Sequence, residues 1–126
     1  MLCNLYLRSA ADDELESVAR RIFEILDIKP LMMRESSNYP KGQYMSGKVL
    51  GLSVRVALVD DSEYSDYQYW MNFTPHAHSA RVDRHALDGL GELLARELSL
   101  HGFEVALALE FGKVNGKRLT FPARTP

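Results

Sequence analysis

Carboxylates and aromatic rings, the side chains in this protein best suited to binding chemistry, are concentrated in residues 60–70. This stretch contains four acidic residues, three tyrosines and the only tryptophan, and it lacks lysine and arginine. Rigid aromatic side chains give contact area at low entropic cost, and carboxylates attract and orient a basic partner. The pattern therefore predicts a protein-binding edge rather than a reaction centre. The candidate contact residues are Asp60, Asp61, Glu63, Tyr64, Asp66, Tyr67 and Trp70.

The same composition has a plainer explanation, in which the carboxylates make a hairpin turn soluble and the rings pack inward. The segment carries a charge of −4 in a chain of net charge −2, so the other residues sum to +2. The tail after Glu110 contains no acid and alone carries +4, and this basic tail is one alternative cover for Trp70. The direction in which the rings point decides between the two interpretations. The tail contains Lys113, Lys117, Arg118 and Arg124.

Histidines offer a second kind of chemistry. His76 and His78 form a His-x-His pair, and Asp83 and His85 follow within a few residues, a set of side chains that can ligate zinc. However, Pro75 interrupts the strand just before the pair and no thiolate is near. A loop with exposed histidines is therefore favoured over a metal site. The alternative hypothesis is a small enzyme or a ligand- or metal-binding domain that uses a pocket near these histidines.

Recognised catalytic motifs do not support an enzyme. The run from Gly42 to Lys48 matches the phosphate-loop pattern except at its last position, where Val49 replaces the magnesium-binding hydroxyl. The residues that follow favour a strand, whereas a phosphate loop leads into a helix. No Gly-x-Ser-x-Gly elbow occurs, and Cys3 has no histidine near it in sequence. We therefore expect neither catalysis nor a cofactor.

Length and composition are those of an ordinary globular domain. The chain has 126 residues, of which 46% are hydrophobic and 25% charged, so one domain, residues 1–126, is expected. Its apolar runs are far shorter than the ~20 residues of a membrane helix. The lone cysteine, Cys3, fits a reducing compartment, and the slight negative charge gives no support for nucleic-acid binding. We expect a cytoplasmic protein with neither a membrane nor a nucleic-acid partner.

Hydrophobic periodicity predicts strands and helices in a mixed order. Residues 2–8 alternate as a strand, and a helix capped by Asp12 follows, with an apolar stripe of period 3.6. A second helix begins near Asp83 and stops at Gly102. The predicted strands after the first helix cover 31–36, 43–50, 52–59, 67–74 and 103–111, and a weaker hairpin follows through Asn115 and Gly116.

Two helices with one apolar stripe each need one sheet face to bury against. The expected fold is therefore α+β, a two-layer sandwich of a largely antiparallel five- to six-stranded sheet with both helices on one face. In strand 67–74, the alternation places Trp70 on the polar side, opposite a core-facing set. A tryptophan on that side is a suitable binding anchor. The core-facing set is Tyr67, Tyr69, Met71 and Phe73.

Three stretches, 38–44, 47–52 and 60–70, contain residues that resemble small bacterial immunity proteins of polymorphic toxin and contact-dependent growth inhibition systems. They read Asn-Tyr-Pro-Lys-Gly-Gln-Tyr, Gly-Lys-Val-Leu-Gly-Leu, and Asp-Asp followed by Tyr-Gln-Tyr-Trp at 67–70. The resemblance implies a cytoplasmic protein that binds one cognate toxin domain and blocks its active site or substrate surface. The acidic aromatic segment would then meet a basic toxin surface.

Overall fold

Seven strands and two helices make up the regular structure of the computed structural model, which describes residues 3–10, 14–49, 51–75, 84–109 and 116–124. Single 3-10 turns occur at Pro40–Gly42 and Ser62–Tyr64. The predicted α+β class is confirmed, but the expected five to six strands is too few. In chain order the elements are β1 (Cys3–Ser9), α1 (Leu15–Leu26), β2 (Lys29–Glu35), β3 (Gln43–Val49), β4 (Leu52–Leu58), β5 (Tyr69–Pro75), α2 (Arg84–Leu100), β6 (Phe103–Ala108) and β7 (Arg118–Phe121).

All seven strands form one antiparallel sheet in the order β2-β3-β4-β5-β1-β6-β7. The first strand therefore lies inside the sheet, where Leu5 is opposite Met71 on one side and Leu107 on the other. The two edge strands, β2 and β7, are mostly exposed and show little alternation in burial. This weak alternation explains why the sequence pattern underestimates the number of strands.

Both helices pack against one face of the sheet, as predicted. The apolar stripe of α1, which includes Val18 and Ile22, shares one core cluster with Ala95 and Leu98 of α2. Alternate residues of the central strands complete this core, and they are almost inaccessible to solvent. They include Leu5, Leu7, Val54, Val56, Met71, Phe73, Val105 and Leu107.

The ends of the helices differ in part from the sequence interpretation. Asp12 and Asp83, the predicted caps, lie outside the described residues, and Glu14 occupies the N-cap position of α1 without a side-chain hydrogen bond. That helix ends before Asp27, which has a left-handed backbone conformation with φ of 53°. Gly102 follows α2 with φ of +93°, as expected for a glycine stop. The stretch that resembled a phosphate loop continues as β3, which excludes the required helix.

Candidate protein-binding site

Residues 59–68, which connect β4 to β5, fold over the sheet face opposite the helices. Their rings form a second apolar cluster, separate from the main core, with side chains of β1 and β6. Ala106 and Ala108 supply small side chains on the β6 part of this face, which leaves room for rings to lie close to the sheet. The cluster comprises Tyr6, Tyr64, Tyr67, Ala106 and Ala108, with Val59 and Trp70 partly buried against it.

Tyr64 and Tyr67 point inward, so the expectation that their rings face outward is wrong. Their exposed fractions are 7% and 6%. Tyr64 stacks on Tyr6, with 3.7 Å between ring centroids, and its centroid lies 6.2 Å from that of Tyr67. The placement of Tyr67 on the core face with Tyr69 is also wrong, because the Tyr67 N–H donates to the Tyr64 carbonyl in a turn before β5 begins.

Two arginines cover the outer sides of these buried rings. The Arg118 guanidinium lies 4.6 Å from the Tyr64 ring centroid and donates to the Glu63 carbonyl over 3.4 Å. Arg8 lies 5.7 Å from the Tyr67 ring and donates to the Asp66 carbonyl over 3.1 Å. Arg8 also forms an ion pair with the Glu104 carboxylate of the neighbouring strand. Part of the basic tail thus covers Tyr64, and this end of the segment has cations beside it.

Burial raises the pKa of all three clustered tyrosines, because an ionised phenolate would lose its hydration inside the cluster. The nearby Asp61 carboxylate further raises the pKa of Tyr6. Arg118 acts in the opposite direction on the pKa of Tyr64, since a cation favours the phenolate. The rings therefore remain neutral hydrogen-bonding and packing groups across the physiological pH range.

The carboxylates of the segment differ in their roles. Asp61 is half-buried and caps the 3-10 turn, because one of its oxygens accepts from the Glu63 N–H over 3.0 Å. Its other oxygen accepts from the Tyr6 hydroxyl over 3.4 Å. Asp60 and Asp66 are exposed, and the Asp60 carboxylate has no hydrogen bond or ion pair with the described residues. Asp61 therefore holds the segment in place, while Asp60 is available to a partner.

Trp70 lies on the sheet face opposite the helices, as predicted from the alternation of β5. It is partly buried, and its indole Nε1 donates to the Asn4 Oδ1 atom over 2.9 Å. Asn4 is fully buried, and its own amide nitrogen has no hydrogen-bond partner in the part of the chain that the structure describes. Tyr39, from the loop before β3, has its ring centroid 6.4 Å from that of Trp70. The Arg55 guanidinium donates to the Tyr39 hydroxyl over 3.0 Å, which holds this second ring in place.

These rings and carboxylates surround a cleft of about 170 Å³, which we call the acidic cleft. Among the described residues, three aromatic residues and two carboxylates line it, and no lysine or arginine does. Tyr6 and Tyr39 were not among the residues predicted for this site. Tyr6 could have been predicted, because it is a large ring on the side of β1 opposite Leu5 and Leu7, where polar residues are expected. The lining residues are Tyr6, Asn38, Tyr39, Pro40, Leu58, Asp60, Asp61 and Trp70.

The neighbouring part of the same sheet face is positively charged. A groove of about 240 Å³ crosses β2, β3 and β4, and its charged lining residues are Arg34, Lys48 and Arg55. Arg55 also lies 5.3 Å from the Tyr44 ring centroid and bonds to Tyr39 of the acidic cleft. Opposite charges therefore lie side by side on one face, with Arg55 and Tyr39 at the boundary.

The histidine hypothesis stays a prediction, because the side chains on which it depends lie outside the described residues. His76 and His78 lie outside the described residues, as does the side chain of His85. Within the described ranges, no three histidine, cysteine, aspartate or glutamate side chains are placed to hold a metal. A cleft of about 670 Å³ lies between the starts of α1 and β3 and the end of β4, and its described lining contains no histidine. Its polar lining residues are Glu14, Glu16, Lys41, Gln43 and Gln68.

Comparisons with known proteins leave the site to be interpreted from its own geometry. No family model, curated protein or solved structure is significantly similar to this chain. None of the helices in the described ranges has the length and apolar character needed to cross a bilayer.

Proposed function

We propose that this protein binds a basic protein partner through the acidic cleft and the acidic segment beside it. The partner is a bacterial toxin domain, which the protein neutralises in the cytoplasm by direct contact. The observation that carries the binding proposal is a pre-formed cleft whose described lining combines two carboxylates with three aromatic residues and contains no lysine or arginine. The resemblance to immunity proteins provides the class of the partner.

The candidate contact residues have different roles in this proposal. Asp60, Glu63 and Asp66 supply negative charge that attracts the toxin domain and orients its approach. Trp70 supplies contact area as a partly buried ring that lines the cleft, joined by Tyr39.

Tyr64 and Tyr67 act from below the surface. Their buried rings hold residues 60–68 against the sheet and so fix the positions of the carboxylates. Asp61 contributes both charge and the capping bond that shapes the turn. Pre-organisation of this kind reduces the entropy lost on binding.

The adjacent basic groove favours one orientation of the bound partner. A partner surface with cationic and anionic patches meets complementary charges in one orientation, whereas the reverse orientation juxtaposes like charges. The boundary at Arg55 and Tyr39 thus defines how the toxin domain is placed on this face.

The test is to identify the reading frame upstream of the gene and to express its C-terminal domain with this protein. We expect the two to co-purify and the growth defect caused by the toxin domain to be relieved. A Trp70→Ala variant, shown to be folded by circular dichroism, should lose this protection, whereas a Glu24→Gln variant on the exposed side of α1 should retain it. Unchanged protection by the Trp70 variant would remove this surface from the interface.

A further inference from the structure

We infer that the acidic cleft receives a single arginine side chain of the partner, with its guanidinium against the Trp70 and Tyr39 rings and beside the Asp60 carboxylate. This inference rests on the proposed function and specifies the chemistry that the cleft recognises. It is argued from the size of the cleft, its aromatic walls and its charge.

The size of the cleft favours one side chain over a small-molecule ligand. Its volume of about 170 Å³ is below the roughly 300–1,000 Å³ of pockets that hold drug-sized ligands. It equals the volume of about five or six water molecules in the liquid. A planar guanidinium and the methylene groups next to it are of this size, so the cleft suits the end of one long side chain.

The aromatic walls suit a planar cation. The ring centroids of Trp70 and Tyr39 are 6.4 Å apart, compared with 3.7 Å for the close stack of Tyr6 and Tyr64. The wider pair is therefore not in the close contact of the Tyr6 and Tyr64 stack, and its planes are inclined by 28°. A guanidinium can stack on the face of an aromatic ring, and tryptophan is the best aromatic acceptor for a cation. The chain uses this chemistry internally, for example where Arg118 lies over Tyr64.

Both walls are held before any partner arrives. The indole N–H of Trp70 is bonded to Asn4, and the hydroxyl of Tyr39 accepts from Arg55. The ring of Tyr6, below the cleft, is fixed by its stack on Tyr64. Rings that are already ordered lose little entropy when a side chain binds between or against them.

The charge of the lining selects a cation. Asp60 has no hydrogen bond or ion pair among the described residues, so its two oxygens can accept both N–H groups on one edge of a guanidinium. Asp61 adds a second negative charge beside it. Arg8 and Arg118 lie at the far end of the segment, over Tyr67 and Tyr64, and line no part of the cleft.

The experiment uses the full-length, ¹⁵N-labelled protein and N-acetyl-L-arginine amide as the probe. Because the chain has one tryptophan, the indole N–H resonance of Trp70 needs no assignment. We expect this resonance to shift saturably with the arginine probe and to stay in place with N-acetyl-L-citrulline amide, which is neutral and has nearly the same shape. Added salt should weaken the response.

Two variants give the matched comparison. Asp60→Asn should weaken arginine binding by about fivefold or more, as expected for loss of a charge-assisted contact. Glu24→Gln, at an exposed carboxylate on α1 and outside the cleft, should leave it unchanged. An equal response to citrulline, equal affinity for the corresponding lysine amide, or no difference between the two variants would overturn the assignment.

The result separates this inference from the proposed function. If the arginine probe shifts the Trp70 resonance but the protein does not bind the toxin domain, the inference about the cleft holds and the proposed toxin partner is wrong. If the protein binds the toxin domain but the Trp70 resonance does not respond to the arginine probe, the proposed function holds and the inference about the cleft is wrong.

Discussion

The phenol rings of Tyr6 and Tyr64 lie face to face, with centroids 3.7 Å apart and planes inclined by only 2°. Tyr6 belongs to β1 inside the sheet, whereas Tyr64 belongs to the turn after β4. Aromatic pairs contribute roughly 0.5–1.5 kcal/mol beyond the burial of their area. This stack therefore ties the acidic segment to the rigid part of the molecule and sets the position of the acidic cleft.

Removal of the Tyr64 ring should destabilise the protein strongly. We expect Tyr64→Ala to lower the free energy of unfolding by about 3 kcal/mol, since a buried ring is replaced by a cavity. Tyr64→Phe keeps the ring and should cost less than about 1 kcal/mol. Urea denaturation of the three proteins measures both effects. Similar values for the two variants would show that the stack contributes little.

Two glycines of α2 should respond to alanine with opposite signs. A Cβ atom at Gly91 would lie 2.6 Å from the Cys3 sulfur and 3.0 Å from a methyl group of Leu107, so Gly91→Ala should destabilise by about 1–3 kcal/mol. A Cβ atom at Gly89 would meet nothing within 4 Å. Gly89→Ala should therefore stabilise the helix by up to about 1 kcal/mol. Thermal unfolding compares them, and a shift of both midpoints in one direction would contradict the packing of α2 on β1 and β6.

Stability should fall at alkaline pH because of the clustered tyrosines. Burial raises the pKa of Tyr6, Tyr64 and Tyr67 above the ordinary value of 10.0. Below pH 10.0 both the folded and unfolded states keep these protons, so this contribution is fully present. Above it the unfolded chain releases protons that the folded protein retains, and stability is lost as pH rises.

Tyrosinate absorbance recorded together with circular dichroism measures this effect. Ionisation of the clustered tyrosines should coincide with unfolding, and Tyr6→Phe should make the alkaline loss of stability less steep. Normal titration of all the tyrosines in a protein that stays folded would contradict the burial of these rings.

Charge and contact area should affect different steps of toxin binding. Asp66→Asn should slow association and reduce its dependence on salt, because an exposed carboxylate outside the acidic cleft acts mainly on encounter. Trp70→Ala should speed dissociation and raise Kd about thirtyfold, or ~2 kcal/mol, as expected of an aromatic hot spot. Surface plasmon resonance at two salt concentrations separates the steps. If both variants lost affinity only through slower association, the Trp70 ring would not be buried on binding.

Alternation along the strands was sufficient to predict the two faces of the sheet. It placed Tyr69, Met71 and Phe73 in the core and Trp70 on the opposite side, and these placements are confirmed. The same rule failed at Tyr67, because the chain turns there and the two-residue period has not yet begun. Periodicity thus predicts a side chain's direction only inside a strand.

The acidic cleft depends on contacts between distant parts of the chain. Tyr39 and Trp70 approach each other only after β3, β4 and β5 have paired, and no local pattern encodes that meeting. The inward packing of Tyr64 likewise requires the small side chain of Ala106 on a strand forty residues later. The amino-acid composition was sufficient to identify residues 60–70, but the tertiary fold determines which of these residues are accessible.

The position of β1 inside the sheet has a consequence for how the molecule is assembled. Both of its hydrogen-bonding edges are filled by strands that follow much later, β5 and β6. During synthesis this strand therefore emerges before either neighbour, and its second edge stays unpaired until β6 has been synthesised. Closure of the sheet is a late event that joins the two ends of the described chain, and such long-range pairing is slow compared with the formation of local hairpins.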